Sequence, residues 1–202
     1  VKGELRRQQI LDSALRLFAE KGYYETHIDD IIRDLRIGRG TVYQYFANKD
    51  DIFFQLLEDY YHRWKQVVAI SDEERKINDP VAYLRMRIRR TLAFFAGERE
   101  FTRIYLRIAP GINKDIEPLI ERIETMVTDV VRQDLELARR FNHLRDDIDI
   151  SGAANLLIGA LHRTAYYDFI QTETDADIGV TAENFVRVFT AGIFKRNPGV
   201  DG

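Results

Sequence analysis

The sequence predicts an all-α protein of about nine helices, with a three-helix, helix-turn-helix head at the N-terminus and a helical domain after it. Three observations predict it. Apolar residues recur at i, i+3 and i+4 through every long segment. No segment shows the alternation of a strand, and no internal repeat or low-complexity tract is present. Thr26 to Lys49, THIDDIIRDLRIGRGTVYQYFANK, breaks into two short helices around a tight turn. The expected division is a head at residues 1–48 and a second domain at 49–202.

The first helix is expected over Leu5 to Glu20, with Ile10, Ala14, Leu17 and Phe18 as its stripe. Lys21-Gly22 stops it, Gly22 being suited to a left-handed position after a helix. Ile28, Ile31, Ile32 and Leu35 give the second helix one buried face. Thr26 with Asp29 three residues on fits a capping box at its start. Arg36 to Gly38 interrupts the pattern, and Gly38 can stand at the next N-cap. Val42 and Phe46 then turn inward at i, i+4, which leaves Arg39, Gly40, Thr41, Tyr43 and Gln44 facing away from the core. Asn48 can cap a fourth helix running to about Ile70. Asp50 and Asp51 sit favourably in its first turn.

Ser71 to Asp79 is polar and aperiodic, and reads as a loop. Asp79-Pro80 opens a fifth helix ending near Gly97, Pro80 standing where its missing N–H matters least. A sixth is expected from about Glu98 to Ala109, broken by Pro110-Gly111. The seventh, capped by Asp115, carries a stripe from Ile116 to Phe141 and tolerates Pro118 in its first turn. An eighth starts at Asp149 or Ser151 and runs to about Ile170. A ninth runs from near Thr181 to Asn197-Pro198-Gly199. Small residues (Gly152, Ala153, Ala154, Gly159, Ala160) and apolar ones on more than one face suggest burial of these last two helices on two sides. Leu156, Ala160, Tyr167, Phe185 and Phe189 are the candidate contacts with a second subunit.

Composition narrows the function. With 202 residues and 45% hydrophobic content, the chain can bury an ample core. It has no cysteine, so disulfides, thiolate metal sites and thiol sensors are excluded. No apolar run reaches about 18 residues, and the N-terminus is charged rather than signal-like. A cytoplasmic protein is the expectation. Four histidines, His27, His62, His143 and His162, form no HExxH or i, i+4 pair. Phosphate-loop and GxSxG motifs are also missing, so no enzyme is expected and no cofactor. The net charge of −3 does not exclude nucleic acid, because charge is local. Arg33, Arg36, Arg39 and Lys49 face one acid, Asp34, in the segment 33–49. Lys2, Arg6 and Arg7 make a second basic group, while Asp72 to Glu74 and Asp146 to Asp149 carry acid downstream.

Two short helices that expose hydrogen-bonding groups at the start of the second have the geometry of a major-groove reader. Arg39 can fork onto guanine, Gly40 lets backbone approach, and Thr41 and Gln44 can reach base edges. Tyr43 can contact base or phosphate. Tyr45, Lys49 and Thr26 suit phosphates. The first 55 or so residues also resemble the TetR family of bacterial repressors. The resemblance rests on ILDSALRLFAEKG from Ile10 to Gly22, Tyr23, Thr26, Ile31 and GTVYQYFANKDDIF from Gly40 to Phe54. It implies the same DNA-contact roles, with His27 where the family often has Thr. The family usually has Gly at the place of Arg36, so the turn here either avoids positive φ or is strained.

The resemblance implies more for residues 49–202: a ligand-binding and dimerisation domain, pairing through the two final helices. It implies an inducer cavity, for which Tyr61, Trp64, Phe94, Phe95, Phe101, Tyr105 and Met126 are candidate walls. Arg85, Arg89, Arg103 and Arg107 could hold an anionic group if they faced inward, or form solvated faces. The downstream part is similar to TetR-like regulators of fatty-acid metabolism, which implies a long-chain acyl-CoA or another amphiphile as inducer. The resulting expectation is a homodimeric, ligand-responsive repressor on a pseudo-palindromic operator of double-stranded DNA. The alternative is a constitutive DNA-binding structural protein without an inducer.

Overall fold

The computed structural model describes residues 2–71, 73–74, 79–107, 117–171 and 176–193. The described residues form nine α-helices and one π-helical segment. They are α1 (Lys2–Lys21), α2 (Ile28–Leu35), α3 (Arg39–Tyr43), α4 (Lys49–Val68), α5 (Pro80–Gly97), α6 (Arg99–Arg107), α7 (Glu117–Arg140), α8 (Ile150–Ala165) and α9 (Ile178–Ile193). The π-helical segment, Tyr166–Gln171, extends α8 to where a single helix was expected to end. The expected break at Pro110-Gly111, the cap at Asp115, Ile116, Asp72 and the stop at 197–199 lie outside the described residues. None of the described helices is long and apolar enough to cross a membrane.

The chain divides into two compact units: residues 1–63 with 98–123, and 64–97 with 124–202. The expected functional division at residue 48 lies inside the first unit. Both α4 and α7 therefore give one part to each.

In the first unit, α1 packs on α2 and on α6. Ile10, Ala14, Leu17 and Phe18 are buried as their spacing predicts, and Leu11 and Ser13 join them. An aromatic cluster makes the centre. Phe53 lies 6.0 Å from Phe18, 4.9 Å from Tyr23 and 6.1 Å from Phe101 between ring centroids. Tyr60 lies 4.6 Å from Phe101 and shares a 2.8 Å hydrogen bond with Thr102. Both buried hydroxyls are thereby satisfied, as burial requires. At the rim, Arg63 donates through two nitrogens to Glu98, each at 3.0 Å. The α4 start is reciprocal: Asn48 Oδ1 accepts from the Asp51 N–H at 2.8 Å, and Asp51 Oδ2 accepts from the Ala47 N–H at 2.9 Å.

In the second unit α5 packs along α9 and on α8. Asp79 Oδ1 accepts from the Val81 and Ala82 N–H groups, so α5 opens with a capped Pro as its sequence indicates. Asp149, one of two candidates, caps α8 by accepting from Gly152 N–H at 2.7 Å. A Cβ at Gly152 would stand 2.8 Å from that carboxylate, so a larger residue there would push the capping side chain aside. The arginines of α5 are mostly taken up by acids. Arg85 pairs with Glu183 at 2.8 Å, Arg87 with Asp134 at 2.8 Å, and Arg90 with Glu74. Arg87 and Arg90 also donate to the carbonyls of Val68 and Ala69, at the end of α4. Tyr83 donates to Asp134 at 3.0 Å. Burial of Asp134 outweighs the pull of Arg87 and Tyr83, and holds its carboxyl above the ordinary aspartate range. The seventh stripe is shorter than predicted: Ile120, Ile123 and Leu135 are buried, whereas Phe141 lies past the helix end and is 64% exposed. Likewise Val68, not Val67, is the buried member at the end of α4.

The turn between α2 and α3 is the strained form of the two anticipated. Arg36 has φ 53° and ψ 44°, left-handed backbone on a residue with a Cβ. Its N–H bonds Arg33 O at 3.3 Å, and that of Ile37 bonds Ile32 O at 3.2 Å, closing the end of α2. Substituting Arg36→Gly should relieve the strain, partly offset by extra freedom of the unfolded chain. Urea unfolding followed by circular dichroism should show a gain of about 0.5–1 kcal/mol; a loss of stability would mean the Arg36 side chain holds the turn by contacts.

Candidate nucleic-acid interface

The second helix begins one residue later than its sequence suggests. Its N-cap is His27, not Thr26, and Asp30 rather than Asp29 accepts from the N-cap N–H, at 2.9 Å. That bond, ahead of Lys21 and Arg33, holds the Asp30 carboxyl below the usual range. Thr26 is fully buried and its hydroxyl donates to Gly22 O at 2.8 Å and Leu17 O at 3.2 Å. The expectation that Thr26 meets phosphate is therefore corrected: its side chain ties the turn to α1. The His27 side chain is 75% exposed, with Nδ1 3.2 Å from Glu25 O. Of the four apolar residues predicted on the inner face of α2, Ile31 is fully buried and Ile28, Ile32 and Leu35 are half-buried.

Gly38 is the N-cap of α3, in extended conformation, as predicted. A five-residue helix is far below the length that persists alone in water. It is held by Val42, 0% exposed, and by Phe46 just beyond it, 2% exposed. Arg7 of α1 lies over the Phe46 ring, 5.3 Å from its centroid. With these two residues inward, Arg39, Gly40, Tyr43 and Gln44 are exposed, and Thr41 and Tyr45 half-buried. A Cβ at Gly40 would meet nothing within 4 Å. Tyr45 places its hydroxyl 3.6 Å from the Cβ position of Gly3 on α1.

Two cations of this surface already have partners. Arg39 Nη2 donates to both oxygens of Asp29, at 2.5 and 2.7 Å. Lys49 Nζ donates to Tyr23 O at 2.8 Å and Tyr24 O at 3.4 Å, and lies 4.3 Å from the centre of the Tyr23 ring. Burial pushes its ammonium down from the ordinary lysine value, despite Asp50 and Glu25 nearby. The Tyr23 hydroxyl in turn donates to Asp50. Lys49 thus pins the start of α4 to the chain before α2. The sequence points to Asp29 as a capping carboxylate and carries no sign of its pairing with Arg39. A carboxylate ten residues from its arginine, across a turn, has no periodic signature.

The remaining candidates fall in both units. Tyr61, Phe101 and Tyr105 are buried in the first; Trp64, Phe94 and Phe95 are buried and Met126 half-buried in the second. Arg85 is paired, Arg89 and Arg107 are exposed, and Arg103 is half-buried. Among the subunit-contact candidates, Leu156 is 69% and Tyr167 40% exposed. Ala160 and Phe189 are half-buried. Phe185 is corrected: it is buried in its own unit, stacked on Phe189 at 4.5 Å, and offers a partner little surface. Val188, 72% exposed, and Val180, 59% exposed, present apolar surface on α9 instead.

Residues 10–56 match the family of bacterial regulatory proteins, tetR family. The HTH-type transcriptional regulator HbdR of Aromatoleum sp. (strain CIB) is 31% identical over 132 residues, 65% of this chain and 57% of that protein. The match thus spans little more than half the length of that relative. A TetR-family transcriptional regulator from Syntrophomonas wolfei superposes with a TM-score of 0.77 at 26% identity, over 93% of this chain and 95% of its own. The regulator FadR of Bacillus subtilis, solved with stearoyl-CoA, has the same fold, with a TM-score of 0.75 at 18% identity over 92% and 98% of the two chains. Residues 10–56 thus carry a regulatory domain of the tetR family, and the chain shares its fold along almost its whole length with a TetR-family regulator.

Proposed function

We propose that the chain is a cytoplasmic, ligand-responsive repressor that binds a pseudo-palindromic operator as a homodimer and is released by a small hydrophobic or amphiphilic inducer. The observation that carries this reading is the outward row of α3. Val42 and Phe46 anchor the helix, and Arg39, Gly40, Tyr43 and Gln44 are left exposed. Arg39 reads guanine through O6 and N7; Thr41 and Gln44 reach base edges; Gly40 admits close backbone approach. Tyr43 serves base or phosphate, and Tyr45 and His27 serve phosphates. Lys49 acts first as a pin of the head and secondarily as a positive charge toward DNA.

Two heads are needed for a two-fold operator, with half-sites about 34–36 Å apart or a multiple of that. The exposed Leu156, Tyr167, Val180 and Val188 support pairing through α8 and α9. For the inducer, the candidate contacts lie within each unit taken by itself: Tyr61, Phe101 and Tyr105 in the first, and Trp64, Phe94, Phe95 and Met126 in the second. The fold likeness to a regulator solved with stearoyl-CoA supports a long-chain acyl-CoA as the ligand class. Coupling between ligand and DNA of about 1–3 kcal/mol would be reciprocal.

The test is fluorescence anisotropy on an operator obtained by binding-site selection, with and without stearoyl-CoA. Release of the DNA is expected; a selection that enriches no sequence, or an operator complex unmoved by saturating acyl-CoA, would contradict the corresponding half of the proposal. Arg39→Ala should cost about 1–3 kcal/mol and relax preference at one base position per half-site. Lys49→Ala should weaken binding to all sequences and also lower the melting temperature, because two carbonyls lose their donor; unchanged melting would deny the pinning role. Val188→Glu should shift the protein toward monomer in sedimentation at micromolar concentration and weaken operator binding with it.

A further inference from the structure

Arg39 opens α3 and Asp29 lies in the first turn of α2, and their side chains meet across the turn. The contact is made by one nitrogen: Nη2 donates to both carboxylate oxygens, at 2.5 and 2.7 Å. A guanidinium has two two-pronged edges, Nη1 with Nη2 and Nε with Nη2, and Nη2 belongs to both. Reading guanine O6 and N7 together takes one whole edge. A carboxylate straddling Nη2 obstructs either edge. We infer that Asp29 is an intramolecular competitor for the base-reading guanidinium of Arg39, so that operator binding exchanges a carboxylate for a guanine. This rests on the proposed role of Arg39.

The surroundings favour competition over support. Lys21 and Arg33 both bond Asp30, its neighbour, and not Asp29. Among the described residues the Asp29 carboxylate has Arg39 as its hydrogen-bonded partner. The pair itself is exposed, 63% and 54% for the two side chains, so it opens readily and attenuates binding instead of preventing it. In that way Asp29 lowers the affinity that Arg39 can deliver.

A double-mutant cycle on the full chain tests this, with the selected operator at fixed salt. Asp29→Asn keeps the shape of the residue and removes its charge; Asp29→Ala removes the acceptor altogether. Each is measured alone and in the Arg39→Ala background, with melting curves to check that the head is folded. With Arg39 present, both should tighten operator binding by about two- to five-fold, the scale of an exposed ion pair. With Arg39→Ala, neither should tighten it. An equal gain in both backgrounds would mean that Asp29 merely repels phosphate, and would overturn the inference. So would unchanged or weaker binding with Arg39 present, while Arg39→Ala still relaxes base preference; the Arg39 reading would then stand alone. If Arg39→Ala left base preference intact, that reading would fall and the inference with it. Should Asp29→Ala lose its fold, Asp29→Asn decides the outcome.

Discussion

The burial of Val42 and Phe46 is the constraint on which the head depends. The helix that carries them has five residues and too few internal hydrogen bonds to persist unaided. Two buried side chains at i, i+4 supply what propensity cannot, each on the order of 1.5–3 kcal/mol. Their direction leaves no freedom in what faces out. Once Val42 is at the centre and Phe46 lies under Arg7, Arg39, Tyr43 and Gln44 stand on the opposite side. The outward row of α3 is a consequence of the core.

The same core draws in residues from beyond the three N-terminal helices. Phe101, from α6, packs among Phe53 and Tyr60, and Arg63 of α4 is held to Glu98. Residues 98–123 therefore belong with residues 1–63 as one compact unit. At the other end of α4, the carbonyls of Val68 and Ala69 are taken by Arg87 and Arg90 of α5. Arg87 is itself held by the buried Asp134 of α7. One helix is thus fixed near its start by Lys49 and at its end by arginines.

Much of this was legible in the sequence because helical periodicity and turn chemistry agree. The stripe of α1, the inward pair Val42 and Phe46, the Gly38 cap, the Asn48 start and the Asp79-Pro80 opening all follow from spacing and residue type. The errors have local causes. Thr26/Asp29 and His27/Asp30 offer the same i, i+3 register one residue apart, and residue preference favours the first. The structure takes the second because burying Thr26 satisfies two carbonyls of the preceding turn. Phe141 continues the seventh stripe in period but falls beyond the end of the helix. Phe185 and Val188 are both apolar residues of α9; only packing against the rest of the unit decides which is inside. The pairings of Arg39 with Asp29 and of Lys49 with the Tyr23 carbonyl have no sequence signature, since they join separate elements.

The central claim, that the outward row of α3 is the surface that meets DNA, is most directly tested by amide hydrogen exchange of the full chain with and without the selected operator. The account predicts slowed exchange across Gly38 to Phe46 and at the start of α2, where the N–H groups and exposed side chains would lie against the duplex. Unchanged exchange over these residues, with new protection confined to α5, α8 or α9, would contradict it.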